Sequence, residues 1–445
     1  MTLDTTFTRG RILPRLLKFA VPILGALILQ AMYGAVDLMV VGRFAAAADV
    51  SAVSTGAQLM HTITCVITGL AMGATIFLGQ SIGAGDGEKS GDIIGNAVIL
   101  FGGLAAAVTL LTTLLASPLC ALMHAPAEAF TQTVAYLTVC GAGTVFIVAY
   151  NLLGSLFRGM GDSKTPLISV AIACAVNIVG DLLFVAVFGM GAAGAALATV
   201  LAQGVSVALC LLIIRRRGLP FPFGRKNVRL RGAVTRHILR LGTPIALQEL
   251  LVSISFLVLL AIVNSLGLVV SAGVGVAEKL CAFIMLVPSA FSQSLSAFVA
   301  QNIGAGDEQR AKTALKCGIG ASLSLGVVIA WAAFFHGDVM ASAFTADPQL
   351  IAAAWDYLRA YAIDTMLVSF LFCFSGYFSG CGETAFVMAQ GIVGAFGVRV
   401  PVSFLMSRMT PVRIFHIGLA TPASTAVQIA LCVFWYMRRS RRLRG

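Results

Sequence analysis

Apolar residues run along this chain in long blocks, with polar residues gathered in the short segments between them. Twelve blocks approach or exceed 20 residues, the length an α-helix needs to cross roughly 30 Å of hydrocarbon. They lie near 17–41, 55–80, 93–117, 131–156, 166–188, 191–214, 241–266, 274–300, 314–335, 351–378, 386–407 and 414–437. The pattern predicts an all-α polytopic membrane protein with twelve transmembrane helices. Pro22, Pro166, Pro244 and Pro401 fall at positions that kink or start helices.

The blocks also repeat. GQSIGAGDGEKS begins at Gly79 and AQNIGAGDEQRA at Ala300, with Gln80 and Gln301 separated by 221 residues. The same offset carries Tyr136-Leu137 onto Tyr357-Leu358 and RGMGDSKT (from Arg158) onto SGCGETAF (from Ser379). Pro22 meets Pro244 at 222, a slip of one residue. Six helices per half is an even number, so both halves enter the membrane in the same sense. Two six-helix lobes related by a pseudo-two-fold axis along the membrane normal are expected, with the substrate cavity in the cleft between them. The expected division is a lobe over 1–214, a basic linker over 215–240 and a second lobe over 241–445 ending in a basic tail.

Composition sharpens this picture. Hydrophobic residues make up 59% of the chain and charged residues 11%, against roughly 25% charge in a soluble domain. The net charge of +12 is placed for topology rather than for nucleic acid. Nine basic residues lie between Arg215 and Arg240, and no acid occurs between Asp181 and Glu249. Other clusters are Arg9, Arg11, Arg15 and Lys18, and Arg438, Arg439, Arg441, Arg442 and Arg444. Termini and linker share one side after an even number of crossings, so the positive-inside rule makes that side cytoplasmic, where anionic lipid is the natural contact. Arg408 and Arg413 fall on the other side, against the trend. No cleavable signal peptide is read, because the first apolar block is long enough to span. The ten cysteines are scattered without a CxxC pair, which argues against disulfides and structural metal. Cys120, in an outer loop, is the one expected to meet an oxidising compartment.

Gly189-Met190-Gly191-Ala192-Ala193-Gly194 matches GxGxxG in letter only. It joins two apolar blocks and no acid follows at the spacing a dinucleotide needs, so a tight helix–helix turn is expected. The IGAGD segments likewise read as helix C-caps. His61 is the one histidine well inside a block, and a helix-packing donor is the plainer reading beside a proton relay.

Ionisable residues inside spans are costly and point to function. Asp37 lies near the outer end of the first span. Asp181 lies about 22 Å into the fifth, with Asn177 one turn before it on the same face, and Thr199 about 12 Å into the sixth from its opposite end. Asn151, on the fourth, is a further candidate. These depths agree. Two carboxylates with amide and hydroxyl oxygens suit either a proton or Na⁺, because two such groups held close cannot readily both stay ionised. The structural reading of Asp181 with Asn177 is interhelical hydrogen bonding. The second half has no copy of this set: Asp37 maps onto Leu259, and Asp181 onto Val402 or Ser403. It carries Glu249, Glu278, Lys279, Asp364 and Arg399 instead, either as a charge-balanced network or as part of a cavity favouring cations.

VDLMVVGR (from Val36), GQSIGAGD, RGMGDSKTP, VNIVGDLLF (from Val176) and GMGAAGAALATVLAQ, with their second-half echoes, resemble the MATE (multidrug and toxic compound extrusion) family over nearly the whole chain. The resemblance implies a V-shaped pair of lobes and efflux driven by inward H⁺ or Na⁺, with the cation site at Asp37, Asn177, Asp181, Thr199 and Asn151. Some members also use carboxylates on the seventh and tenth helices. Glu249 and Asp364 lie on those helices about one turn away, and with Glu278 they are read as cavity residues. The expectation is a monomeric antiporter for amphipathic, cationic small molecules that needs no cofactor beyond its coupling ion, with H⁺ favoured. The rival is a flippase for a lipid-linked saccharide, which the twelve spans and few intramembrane cations disfavour. An enzyme would need a nucleophile with a base or a metal set, and none is found.

Overall fold

The structure is a computed structural model that describes residues 7–409 and 413–442; Arg444 lies outside the described residues. Among the described residues every regular element is helical. Eleven helices are long and apolar enough to span a membrane, and a bent pair makes the twelfth. The first six spans are Ile12–Phe44, Ala47–Gly83, Gly87–Leu114, the pair Ala127–Ala142 with Thr144–Gly159, Lys164–Val187 and Gly191–Arg217. The second six are Gly232–Asn264, Leu268–Gly304, Glu308–Ser342, Pro348–Gly380, Thr384–Ser407 and Ile414–Arg441. Most run a few residues past the apolar blocks, because charged first and last turns can project beyond hydrocarbon.

Three spans are not simple helices. The fourth bends by 54° at Gly143, where a Cβ would stand 2.3 Å from Val200 of the sixth span. The glycine lets the sixth helix approach at the break. The fifth and eleventh widen into π-helix over Leu182–Val187 and Val393–Arg399. In the eleventh span Pro401 follows the widened segment in the first turn of the α-helix Val400–Ser407, where its missing N–H removes one donor from the ladder. Pro22 and Pro244 both lie inside helices.

The duplicated motifs form duplicated turns. Gly85 (φ +74°) and Gly306 (φ +77°) take the left-handed conformation after the second and eighth spans. Asp86 and Asp307 then accept hydrogen bonds from the backbone N–H of Lys89 (3.0 Å) and Arg310 (2.8 Å), capping the next helix. Tyr136-Leu137 and Tyr357-Leu358 are buried in their respective cores. The GMGAAG segment is the tight turn expected of it: Gly189 and Gly191 have positive φ, and Asp49 accepts the Ala192 N–H at 2.9 Å. Cys120 departs from expectation. The short helix Ala116–Leu122 buries it, and burial pushes its thiol above the usual cysteine range.

Two compact units emerge. Of the described residues, the first comprises 7–9, 21–246 and 304–306, and the second 10–20, 247–303, 307–409 and 413–442. Within the first, Val40, Val53, Tyr136, Leu137, Ile147 and Ala196 form a continuous apolar core. Within the second, Leu259, Val263, Val274, Tyr357 and Tyr361 do so.

The segment between the sixth and seventh spans is an ordered strap on the third span. Buried Asp92 accepts from Asn227 Nδ2 at 2.9 Å and pairs with the Arg231 guanidinium. Asn96 Oδ1 accepts from the Arg231 N–H (2.8 Å) and the Thr235 hydroxyl (3.0 Å). Gly95 makes this approach possible, since a Cβ there would lie 2.0 Å from the Asn227 carbonyl oxygen. Gly95→Val is therefore expected to lift the strap and raise tryptic cleavage between residues 215 and 231 about tenfold. Gly102→Val, in open space on the same helix, should leave the rate unchanged. Equal protection in both variants would refute the role given to Gly95.

Candidate functional site

Three helices of the first unit bring four of the predicted side chains together. Asp37 comes from the first span, Asn177 and Asp181 from the fifth, and Thr199 from the sixth; Asp37, Asn177 and Asp181 are buried, Asp181 completely. The Thr199 hydroxyl donates to Asp37 Oδ2 at 3.3 Å, and Asn177 Nδ2 donates to the same hydroxyl at 3.4 Å. The Asp181 carboxyl neighbours that of Asp37. Asp181 is the last residue of the α-helical part of its span, immediately before the π segment. That change of winding sets the carboxylate apart from the regular ladder below it.

The chemistry of the set is that of acceptors short of donors. Asp37 Oδ1, Asn177 Oδ1 and both oxygens of Asp181 are buried without a hydrogen-bond partner among the described residues. Two ionised carboxylates only accept, so they can bond to one another only through a shared proton. A buried polar group left unpaired is expensive. The arrangement can therefore be completed by a proton between the carboxylates or by a small hard cation held by carboxylate, amide and hydroxyl oxygens.

Asn151 is placed elsewhere. Its Nδ2 donates to the Ile147 carbonyl at 2.8 Å, and its Oδ1 accepts from Thr68 of the second span at 3.1 Å. It links two helices and, among the described residues, makes no hydrogen bond into the carboxylate cluster. Instead, a small cavity beside the cluster is lined by Asn177 and Thr199 together with Tyr33, Tyr150 and Gln203, and Gln30 Nε2 donates to the Tyr150 hydroxyl at 2.6 Å. Sequence reasoning missed these residues. The signal was present in helical spacing: Tyr33 is one turn before Asp37, and Gln203 one turn after Thr199.

The second unit carries a different arrangement. Leu259, at the position of Asp37, is fully buried in the apolar core. Asp364 is completely buried on the tenth span, with Thr425 and Arg399 as its polar neighbours. Arg399 ends the π segment of the eleventh span, donates to Ser255 Oγ of the seventh at 3.0 Å, and lies 4.2 Å from the centroid of the Phe256 ring. Glu278 is half-buried, while Glu249 and Lys279 are exposed. Glu249, Glu278 and Lys279 form no salt bridge among the described residues. Of the three proposed cavity acids, Glu249 is thus the one most presented at the surface of its unit. His61 is also exposed, 3.7 Å from the sulfur of Cys65 one turn on.

Long apolar helices in two units, with carboxylates buried inside each of them, define a polytopic α-helical membrane protein. Comparison with known proteins makes the class specific. The MatE family pattern matches residues 22–183 and 244–405, one match in each half, and the chain belongs to that family, whose members are transporters and not enzymes. It is 29% identical over 402 residues to the probable multidrug resistance protein YpnP of Bacillus subtilis (strain 168), covering 90% of each chain. It is 26% identical over 425 residues to the probable multidrug resistance protein YoeA of the same organism, covering 94% of this chain and 92% of that one. Its fold matches an outward-facing multidrug resistance MATE family transporter of the MOP superfamily at a TM-score of 0.94, with 20% identity, over 100% of this chain and 99% of that one.

Arg399 and Asp364 are buried neighbours whose charges attract without a direct salt bridge among the described residues, so removing one leaves the other less compensated, at a cost of up to about 3 kcal/mol. Arg399→Met is accordingly expected to lower the unfolding free energy in detergent by that order, and adding Asp364→Asn should restore more than half of it. Strictly additive losses in this double-mutant cycle would show that the two residues do not compensate one another.

Proposed function

We propose that this transporter is a cation-driven multidrug exporter, an antiporter that moves amphipathic, cationic organic compounds outward as H⁺ or Na⁺ moves inward. The observation that carries the reading is the convergence of Asp37 and Asp181 with Asn177 and Thr199, leaving four buried oxygens without donors. A cation supplies what those oxygens lack. H⁺ is favoured over Na⁺, because a proton shared by two carboxylates satisfies them without further ligands.

The energetics follow from linkage. A cation that binds the cluster more tightly in one packing of these helices than in another shifts the population toward the first, by no more than the difference in its two affinities. Entry of the cation neutralises the pair, and its departure restores the cost of two buried charges. That alternation is the drive the substrate step uses. Exposed Glu249 gives the transport pathway an acid suited to organic cations. The names of the relatives YpnP and YoeA support the multidrug reading, and none of the relatives compared supports a lipid-linked saccharide as cargo. Placement in the cytoplasmic membrane, with both termini and the strap on the cytoplasmic side, follows from the positive-inside rule, and a single chain is the functional unit.

The test is uptake of fluorescent cations into everted vesicles energised separately by a proton or a sodium gradient. Wild-type uptake should follow one gradient, and Asp37→Asn should fall to the level of vesicles lacking the protein while still inserting in the membrane. Coupled uptake retained by Asp37→Asn would defeat the assignment. Thr199→Val keeps the shape of the side chain and removes the donor to Asp37. It is expected to shift the cation concentration for half-maximal uptake about tenfold, equivalent to roughly 1.4 kcal/mol.

A further inference from the structure

We propose that the strap between the sixth and seventh spans is a docking surface for anionic phospholipid headgroups. Its inward face is the clamp described above, in which Asn227 and Arg231 hold Asp92. Its outward face alternates charge and grease: Arg225, Lys226 and Arg229 are exposed, and so are Phe223, Val228 and Leu230, the last at 63%. The short turn Arg225–Asn227 is itself fixed, because Asn227 Oδ1 accepts the Gly224 N–H at 3.0 Å.

Three features select a lipid leaflet as the occupant. Both ends of the strap run directly into membrane spans, so it is held at the bilayer surface. Its charge is wholly basic, with no acid between Asp181 and Glu249, which complements phosphate. Its exposed apolar side chains, interleaved with the cationic ones, suit the boundary between headgroups and acyl chains, where cationic groups can remain at the phosphates. Topology alone accounts for the charge, but it needs neither an ordered backbone nor exposed Phe223 and Leu230. The inference does not depend on the transport reading.

The experiment uses full-length protein in dodecyl maltoside with phosphatidylglycerol or phosphatidylcholine, scoring lipid retained per protein after washing and the thermal midpoint. Wild type is expected to retain phosphatidylglycerol several-fold over phosphatidylcholine, with the preference reduced by 0.5 M salt. The triple variant Arg225→Gln, Lys226→Gln, Arg229→Gln should lose most of that preference. Arg225→Lys, Lys226→Arg, Arg229→Lys should keep it, which separates charge from folding. Removing the same charge at Arg215, Arg216 and Arg217 should leave most of it. Phe223→Ser with Leu230→Ser should lower retention without altering its salt dependence. Equal losses in the two charge-removing triples, no preference in the wild type, or competition by soluble polyglutamate as effective as phosphatidylglycerol would each overturn the proposal. The last would point to an acidic protein partner.

Discussion

A charge inside hydrocarbon has no water to turn to, and the polar architecture of this molecule is organised by that constraint. Where helices end, capping carboxylates such as Asp86, Asp307 and Asp162 satisfy backbone donors at the start of the next helix. Where a guanidinium is buried, as at Arg399, a serine hydroxyl, an aromatic face and a neighbouring carboxylate surround it. The cluster at Asp37 and Asp181 has more acceptors than donors, and the two oxygens of buried Asp364 in the second unit likewise lack a hydrogen-bond partner among the described residues. An imbalance of this kind is relieved by a proton or a small cation that supplies the missing positive partner.

The two halves show what duplication preserves and what it releases. The turns have been kept nearly residue for residue, because a left-handed glycine followed by a capping acid closes a helical hairpin whichever lobe it serves. The interiors have diverged. Leu259 fills with hydrocarbon the place where Asp37 puts a carboxylate. Asp162 caps the fifth span, whereas its counterpart Glu383 binds Arg439 and the Trp435 indole of the twelfth. Both π segments lie in corresponding spans, one just after a buried aspartate and the other ending at a buried arginine. The same local widening thus serves opposite charges.

Span number and the repeat were legible in the chain because hydrophobic length and motif spacing are one-dimensional signals. The meeting of Asp37, Asn177, Asp181 and Thr199 was legible too, since rise per residue fixes depth and depth limits which side chains can touch. Rotation about the helix axis was less so: Asn151 has a suitable depth but turns its amide toward Thr68. The bend at Gly143 depends on Val200 in a distant segment, and the burial of Cys120 on packing around a short helix. The strap was read as a linker because its composition is basic and rich in turn residues. What orders it is a pair of polar side chains on the third span, a long-range contact that local composition does not announce.

The clamp on that strap bears on how the polypeptide can be divided. Residues 219–246 lie in the chain beyond the repeat boundary yet pack within the first unit, held there by Asp92 and Asn96. A chain severed at Gly218 would leave this arm on the second fragment and its binding groove on the first. Separately synthesised halves would therefore carry their own means of finding each other, an exchanged arm with a built-in address.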